Sequence, residues 1–254
     1  DQFGYGFEGY GELCADLRAR GMGVSVLGGV GEVNEAKIGL ALVRVHDLRT
    51  GAVSVRYSTS TGATLESGAD VDGELMVGTL TASLESMAVR RDEFTSSLIS
   101  ELARLRALPP VLTPVQPAAV PEAECQFDIA ITESYLQSII GWGDLDVEGL
   151  DAVCSRFAVE GVSLSLIQNT VVEQYGVRSV VFAGVMDRAS GIEGPNYQIG
   201  VSTRAGTDEA VQADALHSAT LNALADLVTM HDMLITSMQA EVVETRAAVA
   251  ASGG

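Results

Sequence analysis

Few side chains in this chain are of the types that usually carry chemistry. Its only histidines are His46, His217 and His231. We expect the last two on one helix, where 14 residues separate them by about 21 Å along the axis, too far to share a metal ion. The three cysteines contain no Cys-x-x-Cys pair. The sequence therefore predicts neither a metal site nor a cofactor.

Four carboxylates form the best candidate catalytic set. Glu12 and Asp144 lie beside Gly-aromatic-Gly motifs, and Asp47 and Asp187 follow two predicted central strands. Two carboxylates in one pocket can perform general acid–base catalysis. Each of the four suits a helix start or a turn equally well, since an Asp side chain accepts hydrogen bonds from nearby backbone. An enzyme with its site at the junction of two repeats is therefore only a second alternative, with no catalytic residue assigned.

Signatures of nucleotide binding and of serine hydrolases are missing from the sequence. No Gly-x-Ser-x-Gly motif is present. The glycine-rich run at Gly28–Gly31 is followed by Glu32, whose charge repels phosphate, and the chain has a single lysine, Lys37. These absences favour a protein that is not an enzyme.

The chain is acidic, with a formal net charge of −19 over 254 residues. Residues 1–107 carry 15 acids and 10 bases, whereas residues 108–254 carry 19 acids and 5 bases. Without a basic stripe to displace counterions from phosphates, we expect no direct nucleic-acid binding. The acidic second half either keeps the protein soluble or receives a basic partner.

The cysteines and the hydropathy of the sequence indicate in which cellular compartment to expect the protein. We expect Cys14, Cys125 and Cys154 to be buried free thiols, although a bridge between Cys125 and Cys154 stays open. No apolar run is long enough to span a membrane, and no signal peptide is recognised. We therefore expect a cytoplasmic assembly or a virion component, with an extracellular location not excluded.

Three short patterns occur twice in the same order, which indicates tandem duplication. They are Gly9–Leu13 with Gly141–Leu145, Gly23–Ser25 with Gly161–Ser163, and Asp47–Gly51 with Asp187–Gly191, at offsets of 132, 138 and 140. Five of the six prolines fall between them, in 108–123, and predict an extended linker. The expected domains are 1–107, the first α+β repeat, and 124–254, the second.

Each repeat is predicted to be a helix, a small antiparallel sheet and a long helix. The apolar runs at Ile38–His46 and Val177–Met186 have no polar face, which is typical of central strands. Alternating polarity predicts half-buried strands at 53–59 and 197–203. The long helices are expected at Asp70–Ala107 and Thr207–Val249, with Thr207 as the N-cap of the second.

A heptad-like apolar stripe runs along each long helix and is interrupted at one matching place. The interrupting residues are Arg91 and His231, each followed by Asp. A polar residue in a packing seam can fix register or partner, so both are interface candidates. The alternative is that the stripe drifts and both side chains reach solvent.

The first residues are rich in glycine and aromatic side chains. Tyr5 and Phe7 have no counterpart in the second repeat, and aromatic side chains dominate interface energetics. We therefore predict that both belong to an arm that docks on a neighbouring copy.

Duplication, long apolar stripes and the missing catalytic signatures together favour a non-enzymatic structural subunit. The expected setting is a large ordered assembly, either a virion component such as a capsid or tail protein, or a shell or filament. Its partners would be copies of itself and other assembly proteins. The alternative is an acidic client-binding module resembling a secretion chaperone, which would hold a basic client.

Overall fold

A computed structural model describes residues 9–33, 36–64, 71–109, 127–128, 146–173 and 176–252. Within these residues the protein is a mixed α+β structure with five helices and two sheets, each built on three antiparallel strands, the second with a short parallel strand added at its edge. It divides into two compact units. Unit 1 comprises Asp1–Ala107 with Thr245–Gly254, and unit 2 comprises Leu108–Glu244.

Unit 1 begins with a short helix and three strands and continues with two consecutive helices. They are α1 (Tyr10–Ala19), β1 (Met22–Val33), β2 (Ala36–Asp47), β3 (Ser58–Thr64), α2 (Val71–Val89) and α3 (Arg91–Ala107). The strands pair in the order β1-β2-β3. Helices α2 and α3 supply buried apolar side chains, including Met87 and Phe94, which are fully buried.

Unit 2 has the same order of elements, preceded by a two-residue strand. They are β4 (Phe127–Asp128), α4 (Leu150–Glu160), β5 (Val162–Glu173), β6 (Gly176–Asp187), β7 (Gln198–Ala205) and α5 (Glu209–Ser252), of which the residues from Thr245 onward belong to unit 1. Strand β4 pairs in parallel with β5, and the other pairings are antiparallel. The core lies between one face of the sheet and helices α4 and α5.

The central strand of each sheet is buried on both faces. In β2 every residue from Ile38 to Val45 is buried, and in β6 every residue from Val177 to Val185 is buried. Since successive side chains on a strand point to opposite faces, both faces of each central strand are excluded from water. The central-strand prediction is confirmed at both places.

The outer strands differ from the sequence prediction in their bounds. The run Gly28–Gly31, considered above only for phosphate binding, belongs to β1. Strand β3 begins at Ser58, and Val53 forms only an isolated bridge with His46. The half-buried strand predicted from Val53 is therefore wrong over its first half, because the turn after β2 continues through this segment.

The two long helices also depart from expectation. The first is interrupted at Arg90, where backbone hydrogen bonds of the i−3 type tighten the turn between α2 and α3. The second is a single helix of 44 residues. Its N-cap is Asp208 rather than Thr207, because the Asp208 carboxylate accepts the backbone N–H of Val211 at 3.0 Å.

The two units correspond by one uniform offset, the offset that relates Asp47 to Asp187. Met22 pairs with Asp47 as Val162 pairs with Asp187, and the remaining β1–β2 and β5–β6 registers follow in step. The glycines with positive φ that precede the first strand of each sheet are Gly21 and Gly161. The match at offset 138 is therefore out of register, and the turn match at 140 agrees with the structure. The match at 132 depends on Gly141–Leu145, which lie outside the described residues.

Candidate functional site

Of the four proposed carboxylates, those that the structure describes take part in local structure. The Asp47 carboxylate accepts hydrogen bonds from the backbone N–H of Thr50 at 2.8 Å and from its hydroxyl at 2.7 Å. Asp187 binds Ser190 in the same way, at 2.6 and 2.5 Å. Glu12 lies in the first turn of α1, and Asp144 is outside the described residues. Both described aspartates therefore stabilise the tight turns that follow β2 and β6.

A partly buried carboxylate network in unit 2 was missed by sequence reasoning. Glu193 accepts hydrogen bonds from the Ser165 hydroxyl at 2.7 Å and from the Tyr197 hydroxyl at 2.8 Å. Ser165 is fully buried, and the Tyr197 ring meets Phe182 edge-on at 6.4 Å. Glu193 lies in a segment whose sequence is typical of an ordinary turn, so the sequence did not indicate this network. These hydrogen bonds link the segment after β6 to the sheet.

The interface candidate Arg91 contacts the first helix of its own unit. Its Nε lies 3.4 Å from Oδ2 of Asp16 on α1. Asp16 also binds Arg20, one turn further along α1, at 3.2 Å. These side chains are between 30% and 42% exposed, so the ion pairs sit at the surface.

The interface candidate His231 contacts α4 in the corresponding way. Its Nδ1 lies 2.6 Å from the carbonyl of Val228 and its Nε2 lies 3.1 Å from a guanidinium nitrogen of Arg156. Since a carbonyl only accepts and a guanidinium only donates, these contacts match the tautomer that carries its proton on Nδ1. Arg156 also binds Asp232 and Glu160. The predicted role of Arg91 and His231 in contacts between copies stays a prediction, as does that of Tyr5 and Phe7, which lie outside the described residues.

His46 is partly buried against the backbone of its partner strand. A Cβ added at Gly23, its cross-strand neighbour, would lie 2.7 Å from the imidazole Cε1. Within the described part of the chain, no hydrogen bond reaches its buried Nδ1. Burial lowers the pKa of His46, and the neighbouring Asp47 carboxylate opposes this shift.

This burial predicts that acid destabilises unit 1. Because the folded pKa of His46 is lower than its unfolded value of about 6.5, the unfolded chain binds the proton more readily. The stability that His46 contributes while it is neutral is present above about pH 6.5 and is lost as the pH falls through the folded pKa. Over this range the free energy of unfolding falls by at most about 1.4 kcal/mol per pH unit. Urea unfolding at pH 5 to 8 measures it. His46→Met, which copies Met186 of unit 2, should flatten the profile in this range; an unchanged profile would contradict the assignment.

The cysteines differ in their chemical state. Cys14 is a free thiol, whereas Cys154 is disulfide-bonded. The free-thiol prediction is therefore wrong for Cys154, for which a bridge to Cys125 had been left open as the alternative. Cys125, the remaining cysteine, lies outside the described residues. Sequence spacing did not reveal the bond because bonding depends on which residues meet in space.

The outward face of α5 carries a stripe of apolar and small side chains. The α5 stripe consists of Thr229, Met233, Thr236, Ala240 and Val243, all exposed, at alternating spacings of four and three residues. The same spacing continues at Ala247 and Ala250. A 4–3 alternation aligns residues into one seam along a helix, as in helix–helix packing. This seam lies on the side of α5 opposite to its buried residues, such as Leu227 and Leu234.

The corresponding face of unit 1 carries a charge at one position of the stripe. The position equivalent to Met233 is Glu93, which binds Arg90 at 3.0 Å and Arg56 at 3.3 Å. On α5 itself, Ile235 packs in the core of unit 2 and Val228 packs against that core, so neither belongs to the exposed face. The α5 stripe is thus a separate surface that the sequence pattern had not distinguished from the core.

No protein family model, curated protein or solved structure matches this chain. Its class is therefore set by its fold, a mixed α+β protein of two units. Among the described residues, no group of three His, Cys, Asp or Glu side chains is placed to hold a metal ion. None of the helices described is both long and apolar enough to cross a membrane.

Proposed function

We propose that the protein is a non-enzymatic structural subunit of a large ordered assembly, such as a virion component, a shell or a filament. The observation that carries the proposal is the α5 stripe. It presents two large apolar side chains to solvent, Met233 at 38% and Val243 at 68% exposure, among small residues that allow a second helix to approach closely. Covering such a seam removes apolar surface from water.

The occupant we propose for the α5 stripe is the same stripe of a second copy. Two identical 4–3 seams are complementary by their spacing, and a two-fold axis places the same patch on both partners. The charged residues Asp232 and Glu244 flank the seam rather than interrupt it. Further contacts would extend the pair into a larger assembly.

Tandem duplication is the origin we propose for the two units. The uniform offset between their strand registers and the shared turn chemistry at Asp47 and Asp187 support it. The charge of Glu93 at the position equivalent to Met233 would make the two units inequivalent in assembly, so that one unit forms the contact while its counterpart does not. The disulfide at Cys154 favours assembly outside a reducing cytosol.

We expect the protein to associate at micromolar concentration, and light scattering to give a mass of at least twice 26.5 kDa. The combined change Met233→Glu and Ala240→Glu should return it to a monomer, because charges would be buried in the seam without partners. Far-UV circular dichroism and the unfolding midpoint should stay close to those of the wild type.

Gln239→Glu is the matched control for this experiment. It adds one negative charge, half of that added by the double variant, to the same helix at an exposed position beside Ala240 but outside the seam. Its mass should equal that of the unaltered protein. A monodisperse monomer for the unaltered chain across the micromolar range would end the proposal.

A further inference from the structure

In each unit an ion pair links the first helix to the long helix. The acid and the base of this pair exchange places between the two units. In unit 1 the acid lies on the first helix, where Asp16 meets Arg91 of α3 at 3.4 Å. In unit 2 the base lies on the first helix, where Arg156 meets Asp232 and His231 of α5. By the offset that relates the two units, Asp16 and Arg156 occupy equivalent positions.

The reversal extends along the first helices. Arg20 supports Asp16 on α1, and its equivalent Glu160 supports Arg156 on α4 at 2.8 Å. On the long helices, the cation Arg91 corresponds to the neutral His231. One position does not change, because Asp92 and Asp232 carry the same charge in both units. We call these two sets the unit 1 clamp (Asp16, Arg20, Arg91) and the unit 2 clamp (Arg156, Glu160, His231).

The two first helices share part of their apolar packing. Helix α1 buries Leu13 and Leu17, and α4 buries Val153 and Phe157 at the equivalent positions, together with Leu150, Cys154 and Ala158. Similar adjacent units in one chain are prone to exchange such elements during folding, within a chain or between chains. A charge pattern that opposes exchange would add to the discrimination that apolar packing provides.

The clamps supply such a charge pattern. If α1 docked on α5, Asp16 would face Asp232 and lose Arg91. If α4 docked on α3, Arg156 would face Arg91. Its acidic partner on that helix would be Asp92, the equivalent of Asp232. Each exchange introduces a like-charge contact, and the first also removes an attraction. Exposed charge pairs of this kind change an equilibrium by up to about fivefold each.

We propose that the two clamps are a pairing device that keeps α1 on α3 and α4 on α5 while the protein folds. The device acts against exchanged arrangements and adds little to the stability of the correct one, since its residues are partly exposed. This role explains why a polar residue interrupts the apolar stripe at the same place in both long helices.

The test is to give unit 1 the clamp of unit 2. The variant carries Asp16→Arg, Arg20→Glu and Arg91→His, and with Asp92 already present it reproduces the unit 2 clamp in full. Its unfolding midpoint should remain near that of the unaltered protein. After dilution from guanidinium at submicromolar concentration, the fraction of chains that fail to regain the native elution volume and native hydrogen exchange of α1 should rise about five- to tenfold.

Two further variants make the result decisive. Adding Arg156→Asp, Glu160→Arg and His231→Arg to the first three changes exchanges the clamps completely, so discrimination is restored and refolding should recover. The control Lys37→Asp with Asp72→Lys reverses another surface ion pair of unit 1, at 3.4 Å, whose equivalents Val177 and Gln212 are uncharged. It should refold as the unaltered protein does.

Several outcomes would overturn the proposal. One is unchanged refolding of the first variant, and another is an equal loss in the control. A third is failure of the sixfold variant to recover. Loss of stability in the first variant would also overturn it, because a faithful copy of the unit 2 clamp would then not function at the equivalent site.

Discussion

Replacing Gly200 by alanine is expected to destabilise unit 2 by about 3 kcal/mol. A Cβ at Gly200 would lie 1.9 Å from the carbonyl oxygen of Ala219 and 2.5 Å from the backbone nitrogen of Ala223. Both alanines are fully buried in α5, so the obstacle is helix backbone and no side chain can rotate away. The helix would have to move off β7, which would disrupt the core beneath it.

Unit 1 shows why this position matters. The residue equivalent to Gly200 is Ser60, whose hydroxyl donates a hydrogen bond to the carbonyl of Thr79 on α2. Unit 1 therefore accommodates a side chain between strand and helix, whereas unit 2 brings the backbones together.

The measurement is equilibrium urea unfolding of Gly200→Ala. Gly29→Ala is the matched control, since Gly29 also lies in a strand and an added Cβ there would meet nothing within 4 Å. The control should change stability by no more than about 0.5 kcal/mol. Equal effects of the two substitutions would show that α5 does not pack on β7 as described.

Truncation of Phe182 to alanine is expected to cost about 3–5 kcal/mol. Phe182 is 1% exposed and lies on the face of β6 opposite to Val181 and Ala183, which pack with α4 and α5. Its ring meets that of Tyr197 at an angle of 89°. The cost combines lost apolar burial with the cavity left behind.

Phe182→Leu shows how much of this cost comes from the lost side-chain volume, because leucine is also hydrophobic. It keeps most of the side-chain volume and should cost less than about 1.5 kcal/mol. Urea unfolding of both variants measures the difference. A loss below about 1 kcal/mol for the alanine variant would show that this face of the sheet is not closely packed, contrary to its burial.

Much of the secondary structure could be predicted from local pattern. The continuous apolar runs identified β2 and β6 as central strands, and Asp47 and Asp187 marked the turns that follow them. These features depend on residues a few positions apart, so the chain records them directly. The break at Arg90 was missed because no Pro or Gly marks it and the apolar stripe continues through it.

The surfaces of the long helices were less predictable. Heptad spacing alone indicated a seam on α5, but it did not separate the buried face, with Leu227 and Leu234, from the exposed seam of Met233 and Val243. Both faces contain apolar residues at helical spacing, and only the position of the sheet determines which one is covered.

By itself, the sequence determined the mixed α+β class, the order of strands and helices, and the turn chemistry after each central strand, because all of these follow from interactions between near neighbours. Only the tertiary structure decided which distant side chains meet. Ser165 binds Glu193 across 28 residues, and Arg156 binds Asp232 across 76. Such contacts depend on how the chain packs, and sequence spacing carries no record of it.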